Sequence, residues 1–482
     1  MILGQQLDGR QQGRILAQGI LLNHKRGRHR AGGKRIPSTT RDTLSSLSRH
    51  EQLGPGGINR VRESCSICKI TTDLRLQGSL AWGDQSLKSS RHEESMTDLF
   101  TGRQRQLSLL ALNACVLGVG IAFGALVPLI TLNLAHRGID ATLIGLNAAM
   151  FPLAVLMTGP LLPRLIHRLG GVRAMVLGLA LVAIATLLFP LLPFLPVWFL
   201  LRFVTGIAGA IPWVVSETWL NMVATERDRG RIMGIYATVL AAGFAIGPAI
   251  IGAVGAEGWL PFVIVAVAVG LSILPILLAK NLAPTMPERQ EGPLSDILRA
   301  QPLIMIAALC GGVMDFALFA LLPVYGLRHG LDQAASVFVV SVFIGGNVLL
   351  QIPIGWLADR TNRLTVLFAC IVFSLAGALL LPLAINHPAP LYWLVFFWGG
   401  ALFAIYTIGL GLLGNNFPRN QLAAANVVFI MVYEIGSAGG PTLAGTAIDL
   451  LGPEGLVAVV AIAATVLAVA FIQLRPVPPI RP

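Results

Sequence analysis

Residues 243–252 read GFAIGPAIIG, and residues 436–445 read GSAGGPTLAG. Both segments follow the pattern Gly-x3-Gly-Pro-x3-Gly, and each position of the second lies 193 residues after its counterpart in the first. Glycines four apart let a helix pack closely against a neighbour, and a proline inside a helix permits a bend. The repetition predicts that two parts of the chain fold alike around two equivalent helices.

Two other pairs of segments repeat at nearly the same distance. Pro128 and the loop HRGID at 136–140 correspond to Pro323 and the loop RHGLD at 328–332. Gly159-x-Leu161 likewise corresponds to Gly355-x-Leu357. In membrane proteins, parallel repeats of this kind are related by a pseudo-twofold axis along the membrane normal, and a substrate site lies near the midplane where the repeats meet.

The composition places the chain in a membrane. Hydrophobic residues make up 55% of it, charged residues only 12%, and the mean hydropathy is +0.74. A soluble domain carries about 25% charged residues, so this chain lacks the polar surface that a water-soluble protein of its size needs.

Twelve apolar stretches are long enough for an α-helix to cross the hydrocarbon core. They are predicted near residues 107–134, 142–163, 172–191, 197–222, 231–255, 259–279, 302–327, 334–357, 364–384, 390–414, 421–447 and 454–474. The polar linker 280–301 divides them into an N-terminal six-helix bundle at 96–279 and a C-terminal one at 302–482. The expected fold is an all-α membrane protein of two pseudo-symmetric bundles.

The basic residues predict the orientation, since Lys and Arg are retained on the cytoplasmic side. Loops on one side carry Arg164, Arg168, Arg173, Arg227, Arg229, Arg231, Lys280, Arg289, Arg299, Arg360, Arg363 and Arg419. Loops on the other side carry only Arg137 and Arg328. We therefore expect a multi-pass protein of the inner (plasma) membrane with both termini in the cytoplasm.

The first 95 residues contribute +8 of the net charge of +12. They are either a disordered basic extension or upstream sequence translated from a start placed too early. The second interpretation fits better, because Met96 opens a short polar segment directly before the first span. Cys65 and Cys68 have a metal-site spacing but no second pair, so no metal is expected. The basic charge lies in a tail and in loops, which argues against nucleic acid.

Several motifs resemble those of the major facilitator superfamily of secondary transporters. The segment GWLADRTNR at 355–363 is similar to the family's signature between helices 8 and 9, with Asn362 where glycine is usual. Its first-half counterpart, GPLLPR at 159–164, has Pro163 in the aspartate position. Arg202-x3-Gly206 resembles the helix 4 motif. Residues 234–252 resemble the helix 5 pattern of proton-coupled antiporters, except at Ile251.

The resemblance implies a transporter that works by alternating access, and the helix 5 pattern favours proton-coupled export of small organic molecules. Two alternatives remain: a proton symporter or facilitator for the uptake of sugars or organic acids, and a membrane sensor without transport. No catalytic set or nucleotide-binding motif accompanies the spans. We expect no enzyme activity and no cofactor, with a proton gradient as the energy source and a monomer as the working unit.

Some motif residues are predicted to act in gating. Asp359, with its basic neighbours, is expected to form an ionic latch between helix ends on the cytoplasmic side. The alternative is that the charges of this loop only set the orientation of the chain in the membrane. Because Pro163 removes the equivalent acid, Glu217 is the nearest replacement in the first half. The gating and motif set is Asp359, Arg360, Arg363, Arg164, Arg168, Gly243, Gly247, Pro248, Gly436, Gly440 and Pro441.

Ionisable residues inside spans are functional candidates, because a charge there costs several kcal/mol. Asp315 and Glu434 each lie roughly 20 Å into a span. Burial favours the protonated form of a carboxyl group, which lets it load and release a proton. Asp315 is the first candidate for the proton carrier and Glu434 the second, although a static acid is the competing interpretation. Arg202 is expected to face a carboxylate, contact substrate or extend to the outer surface; Glu217 is more easily explained as structural.

Polar and aromatic residues at similar depth would suit an amphipathic organic substrate, with rings for its apolar parts and amides for hydrogen bonds. This set of cavity candidates is Asn113, Trp213, Trp219, Tyr325, Asn347, Gln351, Tyr406 and Tyr433. The expected partners are a small molecule and the lipid bilayer.

Overall fold

The computed structural model describes residues 102–159, 161–224, 228–284, 300–417 and 419–474. These residues contain twelve helices long and apolar enough to cross a membrane, which confirms the predicted all-α membrane fold. The expectations for residues 1–95, including Cys65 and Cys68, and for most of the linker 280–301 lie outside the described residues.

The spanning helices are numbered in chain order. The first half contains α1 (Gly102–His136), α2 (Ala141–Thr158), α3 (Gly171–Leu191), α4 (Leu195–Val223), α5 (Arg229–Val254) and α6 (Leu260–Leu278). The second half contains α7 (Pro302–Arg328), α8 (Gln333–Arg360), α9 (Arg363–Ala384), α10 (Pro388–Asn416), α11 (Arg419–Leu451) and α12 (Gly455–Gln473).

The second span is shorter than predicted. It ends at Thr158 instead of continuing to residue 163, and a separate short helix, Leu162–Leu169, follows. Pro163 lies in the first turn of that helix, where the missing N–H of proline removes no helical hydrogen bond. The basic residues His167 and Arg168 lie in its last turn, so this amphipathic helix is distinct from the apolar span.

The repeated glycines bring α5 onto α1 and α11 onto α7. A Cβ atom on Gly243 or Gly247 would overlap backbone atoms of α1. In the same way, a Cβ on Gly436 or Gly440 would overlap backbone atoms of α7. The two halves therefore use the same motif for the same packing. The loops after α1 and α7 also match, since Gly138 and Gly330 both have positive φ, at 71° and 84°.

Apolar side chains separate into a core and an outer surface. The spans of α1 and α7 are the most buried, at 83% and 78% of their most apolar segments. In contrast, α3, α6, α9 and α12 expose large apolar residues, such as Leu181, Leu271, Leu380 and Ile462. An exposed apolar face of this kind suits contact with lipid tails.

The halves meet through α1 with α7, α2 with α11, and α5 with α8. At four of the described glycines, an added Cβ atom would lie within 4 Å of the other half. They are Gly145, Gly252, Gly255 and Gly445. All four lie towards the end of the molecule that carries the loops of Arg137 and Arg328, which we call the closed end. At the other end, which carries Arg164 and Asp359, no glycine of the described residues approaches the other half in this way. We call it the open end.

Candidate functional site

Asp315 lies in the middle of α7 and is 3% exposed. The hydroxyl of Tyr433, on α11, donates a hydrogen bond of 2.7 Å to its Oδ2. Its Oδ1 is buried and has no hydrogen-bond partner among the described residues. Unpaired buried polar atoms are rare in native proteins, so this oxygen is a candidate position for a proton or a substrate group.

Tyr406 of α10 lies beside this pair, with its ring centroid 4.8 Å from that of Tyr433. Tyr406 therefore contacts the ring whose hydroxyl binds Asp315. The three predicted acids lie on different helices, Glu217 on α4, Asp315 on α7 and Glu434 on α11. Glu434 follows Tyr433 directly on α11 and is partly exposed.

A row of aromatic rings joins the two halves, and its first ring, Trp213, contacts Glu217. The ring centroids of Trp213 and Phe244 are 6.4 Å apart, and those of Phe244 and Phe319 are 6.1 Å apart. Trp213 also donates a hydrogen bond of 2.9 Å to Glu217. Phe244 and Phe319 were not among the sequence candidates, because phenylalanine in an apolar span gives no signal that separates a lining residue from a packing residue.

Arg202 does not reach the membrane surface. Its side chain is 1% exposed, and its Nη1 donates to the carbonyl oxygen of Leu126 in α1 at 3.5 Å. The interpretation that it extends to the outer interface is therefore wrong, because α1 covers it. Its described contact is a carbonyl and not a carboxylate, and its Nε has no partner among the described residues.

Two of the cavity candidates have structural contacts instead. Trp219 is fully buried and donates to the hydroxyl of Ser108, so it joins α4 to α1. Tyr325 lies in the last turn of α7 at the closed end, where its hydroxyl is 3.3 Å from the carboxylate of Glu454. Neither side chain therefore has free surface for a substrate in this structure.

The other polar candidates lie within spans. Gln351 of α8 accepts a hydrogen bond of 2.9 Å from Thr407 of α10. Asn113 donates to the carbonyl of Leu109 in its own helix, while its Oδ1 is buried without a partner among the described residues. Asn347 is partly exposed.

At the open end, Asp359 forms an ion pair of 2.6 Å with Arg363. Arg363 also donates a hydrogen bond of 2.8 Å to the carbonyl of Gly411 in α10. The guanidinium of Arg360 lies over the ring of Trp356 at 4.3 Å. These contacts join α8, α9 and α10 within the second half.

In the first half at the open end, Asp228 pairs with Arg105 at 2.5 Å. Glu217, the residue expected to replace the missing acid, accepts its hydrogen bond from Trp213 instead. Arg164 and Arg168 are exposed in the short helix. Sequence reasoning missed Asp228, since an acid among the loop arginines Arg227 and Arg229 looks like an ordinary solvated residue.

The described residues thus form a multi-pass membrane protein of twelve spanning helices in two like halves, with a buried carboxyl group in α7. The chain belongs to the Major Facilitator Superfamily, whose family model matches residues 112–348 and 335–482.

Relatives and solved structures agree with this assignment. The chain is 28% identical over 334 residues to YfkF of Bacillus subtilis, described as an uncharacterized MFS-type transporter, which covers 68% of this chain and 85% of that protein. It is 28% identical over 326 residues to the transporter YcaD of Escherichia fergusonii, covering 67% of this chain and 84% of YcaD.

Two crystal structures have the same fold. The nucleoside transporter NupG matches with a TM-score of 0.61 at 16% identity, covering 76% of this chain and 100% of NupG. A bacterial homologue of the human lysosomal transporter Spinster, in an inward-facing and unoccupied conformation, matches with a TM-score of 0.59 at 16% identity. It covers 77% of this chain and 95% of the homologue.

Proposed function

We propose that the protein exports small organic molecules in exchange for protons, by alternating access of a central site to the two sides of the membrane. The observation that carries this proposal is Asp315, a buried acid with one oxygen bonded to Tyr433 and the other without a partner in the described part of the chain. An ionised carboxylate is costly in such a place, so a cycle that exposes Asp315 to water on each side in turn would take up and release a proton.

The row of aromatic rings and the acids within the spans favour an amphipathic organic substrate. The rings of Trp213, Phe244 and Phe319 offer apolar faces, and Glu217 and Glu434 offer acceptors for polar groups. Pockets with mostly apolar walls and a few polar groups are typical sites for small organic molecules. Export is favoured by the similarity of the α5 motif to that of proton-coupled antiporters.

We assign the basic loops to the cytoplasm, so that the closed end faces outwards and the open end faces the cytoplasm, as expected of an inward-open state. In this proposal the protein lies in the plasma membrane, works as a monomer and needs no cofactor. Asp315 carries the proton, with Glu434 and Glu217 as further acids, and Asn113, Asn347 and Gln351 are further contacts for substrate.

Transport by the purified protein in liposomes tests the proposal. We would impose a pH gradient, add a panel of chemically diverse solutes, and follow internal pH with a trapped dye. Exchange predicts that a substrate moves in the direction opposite to the protons and dissipates the gradient. Movement in the same direction would indicate a symporter, movement independent of the gradient a facilitator, and no movement of any solute a sensor.

A further inference from the structure

A second charged group, distant from Asp315, joins the two halves at the closed end. Asp449 lies in the last turn of α11, and its carboxylate accepts hydrogen bonds from the backbone N–H groups of Ala141 at 3.0 Å and Thr142 at 2.7 Å. The hydroxyl of Thr142 donates a third bond of 2.7 Å. Ala141 and Thr142 are the first two residues of α2, in the other half.

This contact replaces a cap that α2 lacks. The first N–H groups of a helix have no acceptor within the helix and need one from outside. Asp332, which begins α8, caps its own helix by accepting from the N–H of Ala335 at 2.6 Å. Asp140 occupies the equivalent position before α2, but its side chain makes no such bond. The acceptor for α2 comes instead from Asp449, across the interface.

The contact depends on close approach of α2 and α11. A Cβ on Gly145 would overlap the carbonyl of Pro441, and a Cβ on Gly445 would overlap the carbonyl of Ala141. The backbones of α2 and α11 are therefore in contact between Asp449 and the middle of the membrane. If they separate, the carboxylate cannot reach the N–H groups, since the donor and acceptor atoms of an N–H···O hydrogen bond lie only about 2.7–3.2 Å apart.

Arg328 holds the carboxylate from its own half. Its Nη2 lies 3.5 Å from Oδ1 of Asp449, and it is the last residue of α7. The acid is thus placed between a cation of the second half and the N-terminus of a helix of the first half, both of which favour its charged form.

The symmetry-related pair of helices, α5 and α8, has no acid at the position equivalent to Asp449. The residue 193 positions before Asp449 is Ala256, whose carbonyl oxygen accepts a hydrogen bond from Asn133 within the first half. The α5–α8 pair is closed by the approach of Gly252 to Ala334. When the halves part, α8 keeps its own cap and α2 loses the one that Asp449 provides.

We propose that Asp449 is a latch that holds the closed end together, and that its release is a step in the change between the two open states. Asp449 caps the N-terminus of α2 only while α2 and α11 are in contact. Loss of this carboxylate removes the bonds that the contact provides, and so favours separation of the two helices. The inference concerns the conformational change and is independent of the coupling ion, the direction and the substrate.

Distances between spin labels in lipid nanodiscs test this. In a background with the five native cysteines replaced, one pair of labels at Glu257 and Asn386 reports on the closed end. A second pair at Lys280 and Thr361 reports on the open end. The parent should show a short distance at the closed end and a long one at the open end.

Asp449→Ala should shift the ratio of the two forms about tenfold, the size expected for the loss of a helix cap, with longer distances at the closed end and shorter ones at the open end. Thr142→Val, which removes only the hydroxyl bond, should shift it less. Asp332→Ala is the matched control, because it removes a cap at the same end that does not cross the interface.

The latch is refuted if Asp449→Ala gives the distances of the parent, or if Asp332→Ala shifts them as much. If Asp449→Ala does not yield folded protein, Thr142→Val decides: unchanged distances for this mild variant then also refute the proposal. A failed transport assay with shifted distances would count against the proposed export and not against the latch.

Discussion

At the scale of single residues, the pair formed by Asp315 and Tyr433 is the most informative contact. The hydroxyl of Tyr433 connects α7 to α11 and supports the ionised form of the acid, because a hydrogen bond to a carboxylate favours its charge. Removing the hydroxyl therefore disturbs both the balance between protonation states and the contact between two helices of the second half.

Tyr433→Phe should lower gradient-driven transport about ten- to a hundredfold at neutral pH, since a hydrogen bond to a charged group contributes about 1.5–3 kcal/mol. Tyr325→Phe is the matched control, because it removes a buried hydroxyl from the closed end and leaves Asp315 untouched. Initial rates for both variants, at equal protein per liposome, check this. Equal rates for the two would remove Tyr433 from the coupling site.

The sequence predicted the depth of Asp315 but not its partner. Depth follows from counting residues along a helix, whereas Asp315 and Tyr433 are 118 residues apart and meet only through the packing of α7 on α11. For Asp449, the sequence offers only a weak indication of a partner. An acid in the last turn of a helix faces the negative end of the helix dipole, which is unfavourable unless a partner compensates.

At the scale of helices, the glycine motifs were the strongest sequence signal, and the structure shows why. Small residues four apart remove the side chains between two backbones, so their spacing alone identifies a packing face. The sequence could not separate their roles. The first two glycines of each motif pack within a half, whereas Gly252 and Gly445 lie against the other half.

Gly247→Ala should destabilise the protein by about 1–3 kcal/mol, the usual cost of forcing extra atoms into a packed interior. The added Cβ would overlap the backbone of α1 near Ala125. Gly234→Ala, in the same helix, meets no atom within 4 Å and should leave stability unchanged or slightly raised. Thermal unfolding in detergent, followed by intrinsic fluorescence, compares the two. Equal stability of the two variants would contradict the tight packing of α5 on α1.

The break after α2 was the main error in the predicted helix bounds. Hydropathy continues through Leu161 and Leu162, so a count of apolar residues does not end the span at Thr158. Proline at position 163 gave the signal, because it favours the first turn of a new helix over the interior of an old one.

At the scale of the whole molecule, contacts of two kinds can be distinguished. The packing of α5 on α1 and of α11 on α7 lies within a half and is made by tightly fitted glycines. The contacts of α2 with α11 and of α5 with α8 join the halves. Alternating access requires contacts between the halves to break while contacts within each half persist. Each half is therefore expected to move as a largely rigid body.

The central claim is that Asp315 carries the coupled proton, and Asp315→Asn tests it most directly, because the amide mimics a permanently protonated acid of nearly the same size. With a solute identified in the liposome screen, two rates are compared in the same preparation: exchange of labelled for unlabelled solute without a pH gradient, and uphill movement driven by the gradient. We predict that the variant retains exchange and loses uphill movement, while Glu434→Gln reduces the uphill rate less. If Asp315→Asn still drives the solute uphill at the rate of the unchanged protein, Asp315 is not the proton carrier and the proposed mechanism is wrong.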